Sequence, residues 1–271
     1  PIAGRLAALE RQAGGRLGAL FLDAASGRVT GHRADERFAL CSTVKWPLAA
    51  VILKAVDAGT VSLEQPIRFG KSDLLSNSPR TRENLAKGSM SVAELLEAAI
   101  TVSDNAAANL LLPLVGGPEA VTRQFRAWGD PVTRLDRPEP MLNLVGEGEL
   151  RDTTTPAAMA ALLRTILLGD VLSHASRMRL TDWGTATTTG AKRLRAGLPA
   201  SWRLGHKTGT AMAPGMMNKY NDIAIAFPPE GAPLLIAVYY EGPVAIGAIR
   251  SEDEAVLAAA GKLAAEWARG T

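Results

Sequence analysis

The chain has one cysteine, Cys41, in 271 residues. No intramolecular disulfide can form, which excludes a small disulfide-stapled scaffold. Histidine is nearly as scarce. His32, His174 and His206 lie far apart, no pair has zinc-site spacing, and a lone cysteine adds little. Metal catalysis is not expected. A Ser-His-Asp triad would need one of these histidines beside a serine in space, and nothing local points to one. The net charge is only +3, and aromatics make up 5%. Lysine and arginine are scattered, with no basic block and no aromatic interleaving, so a nucleic-acid footprint is not supported. No long uncharged apolar run is present, which excludes a helical membrane span. The N-terminus lacks a signal-peptide pattern, so the protein is either cytosolic or has lost a leader.

What is present is a chain 47% hydrophobic and 21% charged, the balance of a soluble globular protein. Its length suits one large domain or two lobes sharing a core. Residues 2–13 carry apolar side chains at helical spacing, and R-L-G-A-L-F-L-D-A-A-S-G-R-V-T-G-H-R reads as a hairpin turning at Ala25-Ser26-Gly27. An alanine- and leucine-rich helix follows Ser42 and closes at Gly59. Residues 91–115 read as two helices in series with Ser103-Asp104-Asn105 at their junction. Residues 155–168 form another helix, with Thr155 as N-cap and Pro156 at its first position. Strands return in L-G-H-K-T-G-T, N-D-I-A-I-A-F-P-P and A-P-L-L-I-A-V-Y-Y-E, before a closing amphipathic helix with acids in its first turn. Strands at both ends and helices between them predict an α+β protein. One antiparallel sheet, built from both termini and covered by the terminal helices, joins an all-helical lobe from the middle.

Three short motifs carry chemistry. With 13 serines and 8 lysines, chance supplies about 0.4 of a Ser-x-x-Lys, so Ser42-Thr43-Val44-Lys45 alone settles little. Three apart on a helix, Ser42 and Lys45 share a face. Pro47 is tolerated only near a helix start, which puts Ser42 at the N-terminus, where free N–H groups can stabilise an oxyanion. Lysine can serve as the serine's base if burial or a like charge lowers its pKa. The alternative is a serine cap with a surface lysine, although Leu40 and Trp46-Pro47-Leu48 make the neighbourhood apolar. Ser103-Asp104-Asn105 is either a helix junction capped by Asp104 or a hydroxyl and an amide aimed into a cleft. Lys207-Thr208-Gly209-Thr210 is either a strand end with a bulge glycine or an edge that holds a carboxylate.

All three occur in order on suitable elements. The set S-T-V-K, S-D-N and K-T-G resembles the serine β-lactamases and penicillin-binding proteins. A fourth segment, R-L-D-R-P-E-P-M-L-N at 134–143, resembles the E-x-x-L-N stretch of class A β-lactamases, and R-D-T-T-T-P at 151–156 continues the match. The resemblance spans nearly the whole chain. It implies a β-lactamase/transpeptidase-like fold with a five-stranded sheet, residues 1–40 and 190–271 forming the α/β lobe and 41–189 the all-α lobe.

The resemblance also implies roles. Ser42 matches the acylated serine and Lys45 its helix partner. Ser103 matches the hydroxyl that passes a proton to the departing lactam nitrogen, and Asn105 the amide that holds the substrate's side-chain carbonyl. Lys207, Thr208, Gly209 and Thr210 match the carboxylate-binding strand, with the N–H groups of Ser42 and Thr210 as oxyanion hole. Glu139 and Asn143 match the pair that holds the hydrolytic water. Whether Lys45 or Glu139 takes the serine proton stays open. An Arg137–Asp152 ion pair would close the intervening loop, with Asn109 supporting it. Arg193, in T-T-G-A-K-R-L-R-A-G-L-P, resembles one arrangement for a further carboxylate-binding arginine; the alternative is a surface arginine. No metal or organic cofactor is implied. The implied partner is a small-molecule β-lactam, neither nucleic acid nor membrane is involved, and a periplasmic or secreted monomer is expected.

The sequence also departs from the family. His206 stands where an aspartate is usual, and a peripheral structural role is expected. The stretch A-M-A-P-G-M-M-N-K-Y after Thr210 is longer than usual and is read as a loop beside the substrate entrance. Asn77 replaces a flanking aromatic. Cys41 lacks the partner found in some carbapenem-hydrolysing members. The alternatives are a DD-peptidase, which would lack an equivalent of Glu139, or a sensor that acylates once and stays acylated.

Overall fold

The computed structural model describes residues 1–270. Nine strands are described: β1 (Arg16–Asp23), β2 (Val29–His32), β3 (Phe38–Ala39), β4 (Pro66–Arg68), β5 (Ser89–Ser91), β6 (Thr153–Thr154), β7 (Arg203–Ala211), β8 (Lys219–Phe227) and β9 (Leu234–Glu241). Five of them form one antiparallel sheet in the order β2-β1-β9-β8-β7, so strands from both ends of the chain meet at β1 and β9. The short pairs β3–β6 and β4–β5 lie apart from it. The expected sheet is present. Lys219 and Tyr220, read from sequence as part of a loop, instead begin β8, paired with Ala211 and Thr210.

The sheet is covered on both faces, which is why its strands read as nearly unbroken apolar runs. Alternation sends Leu17, Ala19 and Phe21 of β1 and Ile236, Val238 and Tyr240 of β9 to one face. There they meet α1 (Ile2–Ala13) and the closing helix α10 (Ser251–Arg269), through Leu6, Val256, Leu257 and Ala260. The other face carries Leu20, Ile223, Ile225, Leu235 and Tyr239 into the larger core.

That larger core is built by helices from the middle of the chain: α2 (Lys45–Asp57), the short α3 (Pro79–Glu83), α4 (Val92–Thr101), α5 (Asn105–Leu111), α6 (Gly117–Ala127), α7 (Pro156–Leu168) and α8 (His174–Thr185). A further short helix, α9 (Leu194–Gly197), packs on α10. Lys45 to Leu53 of α2 are all buried, as expected of a helix apolar all round. Trp46 donates its indole N–H to Leu180 O at 3.0 Å. Gly184 makes the approach of α8 possible, since a Cβ there would lie 2.5 Å from the Trp46 ring.

Local signals fix where helices start. Ser91 and Glu94 form a reciprocal capping box on α4. Thr155 caps α7 by accepting from Ala158 N, and Pro156 takes the first helical position. Helices α6 and α8 have no counterpart in the sequence reading: α6 opens on Gly-Pro, and the polar run of α8 shows little periodicity. Among the described residues, no helix is long and apolar enough to cross a membrane.

Candidate active site

A 3₁₀ turn, Cys41–Val44, runs directly into α2. Ser42 therefore sits in the turn before the helix, and Lys45 is the first helical residue. The backbone is strained at two nearby points: Cys41 and Ser103 have φ of 47° and 58°, a region that non-glycine residues rarely adopt. Strand β7 packs against this turn. Gly209 makes the contact possible, because a Cβ there would lie 3.0 Å from Cys41 Cβ and 3.1 Å from Leu40 O. Sequence-distant Lys207, Thr208 and Thr210 are thus brought beside Ser42.

The Ser42 hydroxyl, 9% exposed, donates to Glu139 Oε1 at 3.1 Å. Lys45 Nζ lies 3.3 Å from the same oxygen. Its other contacts are Ser103 O at 2.9 Å, Ser103 Oγ at 3.3 Å and Asn105 Oδ1 at 2.5 Å. The Ser103 hydroxyl also accepts from Lys207 Nζ at 3.0 Å. Ser103 therefore lies between two buried ammonium groups.

Burial lowers the Lys45 pKa, and the Glu139 charge opposes the shift. Lys207 is pushed well below the ordinary lysine value, first by burial and then by the charge of Lys45. A low-dielectric pocket holding two lysines and one carboxylate can move protons among Ser42, Ser103 and a bound ligand at neutral pH.

The segment 137–152 is held at both ends. Asp152 is fully buried and accepts Arg137 Nε at 2.6 Å, Arg137 N at 2.9 Å and Asp136 N at 2.7 Å. Asn109 clamps the Glu139 backbone, accepting its N–H at 2.9 Å and donating to its carbonyl at 2.8 Å. Asn143 Nδ2 donates to Glu139 Oε2 at 2.7 Å, while Asn143 Oδ1 is buried without a partner.

Arg193 is no surface residue: it is 3% exposed. Its guanidinium donates to Gly209 O at 2.9 Å, Asn221 O at 3.1 Å, Thr210 Oγ1 at 2.7 Å and Glu254 Oε1 at 3.2 Å. Thr208 Oγ1 pairs with Thr189 Oγ1 at 2.7 Å. His206, one residue before Lys207, points to the opposite face and meets Asp222 Oδ1 at 3.0 Å. Asp104 caps α5 through Ala107 N and accepts Arg80 N and Thr81 N, so it buttresses the junction from behind. Asn77 donates to Ser103 O at 2.9 Å.

These groups face a cleft of about 700 Å³, lined among others by Ser42, Ser103, Asn105, Glu139, Thr208 and Arg193. Its volume suits a small ligand. Met212, Ala213 and Pro214, in the connection after β7, form part of the wall. So do Glu254 and Thr189, which sequence reasoning did not single out. Glu254 reads in sequence only as one of three acids opening α10.

The Beta-lactamase enzyme family matches residues 1–268. The chain is 44% identical over 259 residues to Beta-lactamase CTX-M-8 of Citrobacter amalonaticus, covering 96% of this chain and 86% of that protein. It is 47% identical over 260 residues to Beta-lactamase L2 of Stenotrophomonas maltophilia, covering 95% and 83%. Among solved structures, a β-lactamase from Burkholderia vietnamiensis superposes with a TM-score of 0.94 at 46% identity, covering 100% of this chain and 97% of that one. The ancestral (GNCA) class A β-lactamase gives 0.93 at 52% identity, covering 98% and 100%.

Proposed function

Because the chain belongs to the class A β-lactamases, hydrolases that open the β-lactam amide, we propose that Ser42 is its nucleophile and Glu139 the base for the deacylating water. The substrate class is penicillins and cephalosporins. In acylation the Ser42 oxygen bonds to the lactam carbonyl carbon, and its proton passes to the Lys45–Glu139 pair. The backbone N–H groups of Ser42 and Thr210 receive the oxyanion. The carbon–nitrogen bond then breaks, and Ser103 protonates the departing nitrogen; Lys45, whose Nζ lies 3.3 Å from Ser103 Oγ, passes the proton taken from Ser42 on to Ser103, which leaves Glu139 ionised. In deacylation Glu139 takes a proton from water as that water attacks the ester, and Ser42 regains its hydroxyl.

The observation that carries this reading is the shared oxygen: Glu139 Oε1 stands 3.1 Å from Ser42 Oγ and 3.3 Å from Lys45 Nζ. The unpaired Asn143 Oδ1 beside Glu139 supports a water site. Lys207, Thr208, Thr210 and Arg193 are assigned to the substrate carboxylate, and Asn105 to the acyl side chain. Arg137, Asp152 and Asn109 hold the loop. The site lies where residues 41–189 meet residues 1–40 and 190–271, taken as two lobes. A monomer acting in the periplasm or outside the cell belongs to the same reading.

Intact-mass spectrometry during penicillin turnover tests the assignment. Ser42→Ala should take no adduct, and Glu139→Ala should accumulate one. Rapid release of the acyl group from Glu139→Ala would remove Glu139 from its role.

A further inference from the structure

A second cavity, of about 680 Å³, shares no lining residue with the catalytic cleft. It is enclosed by Val145–Leu150 of the loop after Glu139, by Gly215–Met217 of the β7–β8 connection, and by the adjoining edge of the sheet. Lys219, at the start of β8, lines it and is 4% exposed. Its ammonium makes no hydrogen bond and no ion pair among the described residues, and it is open to solvent from the cavity.

The other two buried lysines are unlike it. Lys45 has the Glu139 carboxylate and polar groups of Ser103 and Asn105, and Lys207 has Ser103 and the Thr208 carbonyl. Lys219 stands opposite Glu241 in the sheet register, but Glu241 is taken by Arg16, bound in a fork at 3.0 and 3.1 Å. Glu149 is held by Arg151. A second cation on the cavity wall, Arg37, donates to Val132 O and Thr153 Oγ1 and makes no direct ion pair, the Asp130 carboxylate acting on it only through space. The one unpaired carboxylate of the lining is Glu147, which is exposed.

An ammonium at a cavity wall with no carboxylate bound to it, and a guanidinium on the same wall, together offer charged donors to an anion that enters the cavity. We propose that this cavity binds a small oxyanion, a carboxylate or a phosphate, through Lys219 with Arg37 on the same wall. The ligand would touch both the loop after Glu139 and the β7–β8 connection. Those two segments also wall the catalytic cleft, through Leu144 and through Met212–Pro214.

The test is a titration of ¹⁵N-labelled protein with inorganic phosphate, and in a second arm with succinate, at ionic strength held constant by chloride. Saturable amide shifts are expected at 145–150 and 216–220, in one arm or both, and the responding arm identifies the anion. The Lys219→Gln variant should bind at least ten-fold more weakly, while Lys262→Gln, on the exposed face of α10, should bind as the native protein does. The proposal is overturned if no saturable shift appears, if shifts centre on Ser42, Lys207 and Thr210, or if Lys219→Gln binds equally well. Binding seen only in Glu147→Gln would also overturn it, since the Glu147 carboxylate would then fill the site in the native protein.

Discussion

Arg193 and Glu254 meet 3.2 Å apart at the rim of the cleft, with side-chain exposures of 3% and 12%. The other guanidinium nitrogens are spent on β7 and β8, so the pair ties α10 to the strand that carries Lys207 and Thr208. Lysine could not reproduce this fork.

From that geometry, Arg193→Ala should raise KM for penicillins more than it lowers kcat, because binding rather than chemistry loses a group. It should also destabilise the fold, by leaving the carbonyls of Gly209 and Asn221 short of a donor. A double-mutant cycle with Glu254→Ala should give a coupling of about 0.5–3 kcal/mol in denaturant melts. Additive effects would show that the pair is a surface contact.

The Arg137–Asp152 latch makes a second prediction. Asp152→Ala strands a partly buried guanidinium and two backbone N–H groups, which should cost roughly 2–4 kcal/mol. Asp152→Asn, which keeps an acceptor and tolerates the φ of 58°, should cost less. In both, protease cleavage within 138–151 should rise, and deacylation should slow more than acylation. Unchanged cleavage would show that Asn109 alone fixes the segment.

A third prediction concerns pH. The Lys207 pKa is held well below its ordinary 10.5 by burial, then by Lys45. Between the folded and unfolded pKa the unfolded chain binds more protons, so this group makes stability rise with pH across that window. Lys207→Met removes its share of the slope. At neutral pH the variant should be as stable as the native protein or more so, by about 1–4 kcal/mol. The difference should vanish as pH approaches 10.5. Penicillin KM should rise roughly 10- to 100-fold, the loss of a charged hydrogen bond. Urea melts across the alkaline range measure the slope, and an unchanged slope would refute the assignment.

The sheet, the helices that flank Ser42 and Ser103, and the Thr155 cap were legible in the sequence because each rests on local chemistry: period-two apolar strands, a proline at a helix start, a hydroxyl before Pro156. Depth was not legible. Arg193 reads in sequence as a carboxylate-binding arginine or a surface one; its burial depends on two strand carbonyls, Thr210 and Glu254, which lie far along the chain. The start of β8 was missed because Lys219 interrupts the apolar pattern, and only pairing with Ala211 defines it as strand. The hydrogen bond from Ser42 to Glu139 joins residues 97 apart and depends on loop placement that no local pattern encodes.

Cys41 is the only thiol of the chain, fully buried beside Ser42, with its pKa pushed up to about 12 by burial. In the closed protein it is inert to alkylation, being both sealed and protonated. It reacts only when the seam between β7 and the turn before α2 parts. A thiol reagent, followed by mass, is therefore a clock built into the molecule. It would time how often the wall beside the nucleophile breathes, at one unambiguous position and without any label having to be introduced.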